Sequence, residues 1–172
     1  LITALKDAAA DQSSLSYGDI EGEPSLRQAY AQEMTRVYGQ PLAMDQILIT
    51  SGCNQAFIIS ALTVAGAGAG ETVLMTEPGY FNHESTLAML GIKTASVPAL
   101  AEHGFIPSLD DIAQAITPTT KALALVSPNN PTGAIYPPDH LSAILTLCHD
   151  RGIWLILDET YRDFITQDAP RH

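Results

Sequence analysis

The run IWLIL at 153–157 has no polar residue before Asp158, so a carboxylate falls at the tip of an apolar segment. At the rim of a core, an ionised carboxylate costs free energy unless something cationic meets it. No Arg or Lys immediately precedes Asp158, and Arg162 lies beyond the segment. Three other stretches carry side chains or amides suited to a small ligand. In TSGCNQA (50–56), Gly52 separates an apolar run from a helical pattern. The unpaired amides of such a helix start carry partial positive charge and can hold a phosphate, although Ser-Gly turns also start helices with no ligand. In SPNNPTG (127–133), two prolines and a glycine make a rigid loop that holds Asn129 and Asn130 at its mouth. In EPGY, Tyr80 follows an apolar run, where its ring is either a stacking face for a planar ligand or a core aromatic.

These residues need elements to place them. PSLRQAYAQEMTRVYG has apolar residues at helical spacing, Pro24 near its first turn and Gly39 as its stop. QILIT (46–50), TVLMT (72–76), IKTASV (92–97), KALALVS (121–127) and IWLILD are predicted strands. Helices are predicted through NQAFIISALTVAG, ESTLAML, SLDDIAQAI (with Ser108 as cap and Asp111 at the capping-box position) and PPDHLSAILTLCHDRG. Nearly continuous apolar strands alternating with helices predict an α/β fold with a mainly parallel sheet. Ligands gather at the carboxyl ends of the strands in such sheets, so the candidate residues follow the strands they belong to.

Other chemistries find little support. AGAGAGE (65–71) follows a helix and precedes a strand, the reverse of a dinucleotide loop, and reads as a connector. The five histidines (83, 103, 140, 149 and 172) have no metal-ligand spacing, no GxSxG elbow occurs, and no metal is expected. His140 and His149 are assigned to one amphipathic helix. Eight basic against nineteen acidic residues give a net charge of −11, which argues against nucleic acid or an anionic membrane as partner. Cys53 and Cys148 are unpaired in spacing, which suits a cytoplasmic location. The chain opens inside a helical pattern at LITALKDAAA and closes at DAPRH, and it reads as the middle of a longer protein.

Taken together and in order, YGDIEGEPSLRQA, TSGCNQA, EPGY, SPNNPTG and DETY closely resemble the fold-type I pyridoxal-phosphate enzymes, the class I/II aminotransferases being the nearest group. The resemblance runs from about Tyr17 to Tyr161, and NPTG followed by Asp-x-x-Tyr after an apolar strand is its most specific part. It implies the incomplete large domain of a three-layer α/β/α enzyme. Residues 1–40 would be an N-terminal helical segment and 41–172 the cofactor-binding part, with the rest of the large domain and a small domain absent.

The resemblance also assigns roles. Asp158 would meet the protonated ring nitrogen of pyridoxal 5′-phosphate, and Asn130 and Tyr161 would hydrogen-bond its phenolic oxygen. Tyr80 would stack on the ring, and Gly52, Cys53 and Asn54 would cradle the phosphate. Tyr17 would reach the phosphate of the neighbouring subunit, which implies a homodimer, and Arg27 reads as a structural helix residue. The implied reaction moves an amino group between an amino acid and a 2-oxo acid. Only Lys6, Lys93 and Lys121 are present, none in the context of the family's Schiff-base lysine. A lyase, decarboxylase or synthase on the same cofactor scaffold remains open, as does an aminotransferase-like ligand-sensing domain of a transcription regulator.

Overall fold

In a computed structural model, which describes residues 1–165, the chain forms two compact units, one of residues 1–50 and one that begins at Ser51. The first unit holds helix α1 (Ile2–Ala10) and helix α2 (Pro24–Tyr38). Proline occupies the first turn of α2, and Gly39 ends it in the left-handed conformation (φ 70°), as the spacing predicts. Arg27 on α2 is buried, and its guanidinium donates to the carbonyls of Ile47 and Met44, each at 3.0 Å. It therefore ties the helix to the 44–47 segment, a structural role. QILIT is not a strand: residues 44–46 form a 3-10 turn and 47–50 are irregular. A strand is defined by its ladder, and here Ile49 N–H instead donates to the carbonyl of Glu21 at 2.9 Å.

The second unit contains α3 (Cys53–Ala65), β1 (Thr72–Glu77), α4 (Phe81–Met89), β2 (Lys93–Pro98), α5 (Leu109–Ala115), β3 (Thr120–Val126), α6 (Pro138–Asp150) and β4 (Trp154–Asp158). The four strands pair in parallel in the order β2-β1-β3-β4. Side chains alternate across the sheet and so build two cores. Leu74, Leu123 and Leu125 pack with Ile112, Ile144 and Cys148 on the α5/α6 face. Val73, Met75, Ala122 and Ala124 pack with Phe57, Ala61 and Leu87 on the α3/α4 face. The unit is thus a three-layer α/β/α sandwich. Ser108 caps α5 by accepting from Asp111 N–H at 3.0 Å, while its hydroxyl donates to the Asp111 carboxylate at 2.6 Å. AGAGAGE forms the end of α3 and the turn into β1. His140 and His149 both lie on α6; His172 lies outside the described residues.

Candidate active site

β1, β3 and β4 run in the same direction, so the segments after them emerge at one end of the sheet. A cavity of about 170 Å³ opens there. Cys53 and Asn54 from the start of α3, Tyr80 after β1, Val126 and Asn130 after β3, and Asp158, Thr160 and Tyr161 at the end of β4 line it. Six residues singled out in the sequence therefore meet around one space. Gly52 lies next to it as the N-cap of α3, with φ 88°, a conformation that favours glycine. Among the described residues, no side chain makes a capping hydrogen bond at the start of α3, a terminus whose dipole favours an anion. Tyr17 belongs to the first unit, where it is exposed to solvent.

Asp158 is the most constrained group. It is only 8% exposed, and both of its oxygens are engaged. Oδ1 accepts from Thr160 N–H at 2.9 Å and from Thr160 Oγ1 at 2.7 Å, and Oδ2 accepts from Cys53 Sγ at 3.3 Å. His83 Nε2 lies 3.1 Å from Oδ2, in close contact but outside hydrogen-bond alignment. Burial alone would raise the Asp158 pKa. The contacts from His83, Thr160 and Cys53 more than offset it and hold the carboxyl well below the usual carboxylate range. Asp158 is therefore an anion at neutral pH. Burial pushes the Cys53 thiol up and the Asp158 charge adds to this, against a lowering contact from Thr160, so that it stays a protonated donor.

His83 is the residue that sequence reading missed. Its spacing in the sequence excludes a metal ligand and points to no other role, yet it sits in the first turn of α4, just after Tyr80. That position, at the carboxyl end of a strand, was the available signal. The imidazole is buried, stacked on Phe57 (ring centroids 3.7 Å apart, planes 11° apart) and contacted edge-on by Tyr80 at 5.1 Å. Asn82 donates to the Tyr80 hydroxyl at 2.8 Å and so orients the ring that forms the cavity wall. In the asparagine loop, Asn129 turns inward: its Oδ1 accepts from Thr132 N–H at 3.2 Å and from Thr132 Oγ1 at 2.8 Å. Asn130 is the member of the pair that lines the cavity.

A buried anion, an aromatic wall and an uncapped helix start around one cavity suit a flat molecule that is cationic at one point and anionic at another. Pyridoxal 5′-phosphate, with a protonated ring nitrogen and a phosphate, fits this donor set. Lysine is not among the lining residues: Lys93 is exposed on β2, and Lys121 pairs with Glu71 at 3.6 Å.

The fold and cavity define a parallel α/β domain with a cavity at the carboxyl edge of its sheet. The profile of the family described as Aminotransferase class I and II matches residues 1–172, and the chain belongs to that family. It is 33% identical to the arginine–pyruvate transaminase AruH of Pseudomonas aeruginosa, over 87% of this chain and 37% of that protein. It is also 33% identical to the valine–pyruvate aminotransferase of Mycobacterium tuberculosis, over 99% of this chain and 43% of the relative. Among solved structures, the aspartate aminotransferase of Thermus thermophilus with maleate superposes with a TM-score of 0.88 at 29% identity, covering 99% of this chain and 45% of that one. The chain spans about two fifths of the length of the curated relatives it matches.

Proposed function

We propose that these residues form the cofactor-binding part of a pyridoxal-5′-phosphate-dependent aminotransferase that moves an amino group between an amino acid and a 2-oxo acid. The observation that carries the reading is Asp158, a buried carboxylate kept anionic on the wall of a cavity shared with Asn130, Tyr161, Tyr80 and the start of α3. When bound, the cofactor supplies an electron sink for the pair left at the substrate Cα after its proton departs. Asp158 holds a proton at the ring nitrogen by ion pairing, and His83 and Thr160 keep it charged as it does so. The Asn130 amide and the Tyr161 hydroxyl would hold the ring oxygen, Tyr80 would stack on the ring, and the amides of Cys53 and Asn54 would take the phosphate.

The Schiff-base lysine and the arginine for the substrate carboxylate belong, on this reading, to sequence beyond these residues, as do the rest of the large domain and the small domain. Residues 1–40 serve as an N-terminal helical segment and 41–172 as the cofactor-binding portion. Tyr17 serves a neighbouring subunit of a homodimer. A cytoplasmic location agrees with the two free cysteines. Among the described residues, no helix is long and apolar enough to cross a membrane.

Pyridoxamine 5′-phosphate needs no lysine to bind, so its calorimetric titration tests the pocket directly. Uptake by the chain, weakened at least about tenfold by Asp158→Asn, is expected from the loss of a charge-assisted contact. Equal affinity of the two proteins would remove Asp158 from its role. Transfer of labelled amino nitrogen to a 2-oxo acid by a chain carrying the lysine separates an aminotransferase from a lyase, which would release ammonia.

A further inference from the structure

Beyond helping to keep Asp158 charged, one cavity side chain has no part in the chemistry above: the thiol of Cys53. Its backbone belongs to the turn at the start of α3, yet Sγ leans across to β4 and donates to Asp158 Oδ2 at 3.3 Å. The two carboxylate oxygens have separate holders. Thr160 grips Oδ1 twice, from its amide and its hydroxyl, within the same turn of chain. At Oδ2, the His83 imidazole places Nε2 3.1 Å away without hydrogen-bond alignment. Cys53 donates a hydrogen bond to that oxygen, and it does so from the cavity side. A carboxylate held at one oxygen can swing about its terminal torsion, which is broad for such a group. One held at both oxygens cannot, and its remaining lone pair keeps a set direction. A thiol is also a weak donor, so it orients Oδ2 without saturating it.

We infer that Cys53 is a positioning residue, whose S–H fixes the plane of the Asp158 carboxylate so that Oδ2 is presented to the ring nitrogen of the bound cofactor. This deepens the proposed function and rests on it. The titratable groups facing the pair are His83 and Tyr80 at the head of α4 and Tyr161 after β4. Cys148, the other thiol, is buried on the α5/α6 face of the sheet, where burial pushes it up to about 11.

Two measurements test the inference. The first is pyridoxamine 5′-phosphate affinity for wild type, Cys53→Ala and Cys53→Ser. Loss of the donor is expected to weaken binding about three- to tenfold in the alanine variant. Serine keeps a donor and is expected to stay within about twofold of wild type. If alanine binds as well as wild type, or serine is damaged as much as alanine, Cys53 merely lines the wall and the inference falls.

The second is the pH dependence of Cys53 alkylation by iodoacetamide, with adducts assigned by peptide mass, in wild type and Asp158→Asn. Removing the negative neighbour is expected to lower the titration midpoint of the thiol and to raise the rate several-fold at mildly alkaline pH. An unchanged profile overturns the pairing. A wild type that takes up no pyridoxamine 5′-phosphate overturns the proposed function instead, and the alkylation profile still decides whether Cys53 and Asp158 are coupled.

Discussion

The carboxyl group of Asp158 shows how opposing effects of similar size are decided by particular neighbours. Burial disfavours its charge, yet donors at both oxygens and the adjacent imidazole reverse the balance. Because the folded-state pKa is depressed, the group contributes stability above the unfolded value of about 3.9, and that contribution is lost as pH falls toward the folded value. In urea unfolding, wild type is therefore expected to lose more stability than Asp158→Asn between about pH 6 and about pH 2. Parallel curves would count against the charged pairing. His83→Phe keeps an aromatic ring against Phe57 but removes the imidazole from Oδ2. Carbon NMR of the Asp158 carboxyl is expected to show its titration midpoint moving upward in that variant. His83 could not be paired with Asp158 from the sequence, since 75 positions separate them and nothing local to either encodes the contact.

Among the elements, α2, α3, α6 and the sheet strands were legible because apolar spacing and terminal Pro, Ser and Gly reflect local geometry. The 46–50 run shows the limit, since an apolar run becomes a strand only when a neighbour completes its ladder. The α5 cap is local and correspondingly predictable. Ser108→Ala removes the acceptor for Asp111 N–H and is expected to cost about 1 kcal/mol in urea unfolding. Gly79, between β1 and Tyr80, is constrained by space: a Cβ there would collide with the carbonyl oxygen of Thr76. Gly79→Ala is expected to shift Tyr80 and weaken pyridoxamine 5′-phosphate binding, alongside a stability loss of about 1–3 kcal/mol. Unchanged affinity and unfolding midpoint would show that the turn yields freely.

For the whole molecule, the central strands β1 and β3 carry the packing, with side chains buried on both faces. Leu123→Ala, at a fully buried site on β3, is expected to destabilise by about 2–5 kcal/mol, measurable by chemical unfolding. At the margin, β4 has β3 as its one neighbour among the described residues, and Trp154 is 65% exposed beside an apolar groove that includes Ile59, Val64 and Leu155. Exposed apolar strand edges promote association. Sedimentation of this chain is expected to show concentration-dependent self-association that Trp154→Lys reduces; a monomer at all concentrations would show the edge to be inert.

By itself the sequence determined the alternation of strands and helices and put Gly52, Tyr80, Asn130, Asp158 and Tyr161 near element ends, because backbone periodicity and turn chemistry are local. The tertiary structure decided which side chains meet Asp158 and what charge it carries. Desolvation and Coulomb forces act through a few ångströms of space, and the thiol that touches this carboxylate is 105 positions away along the chain.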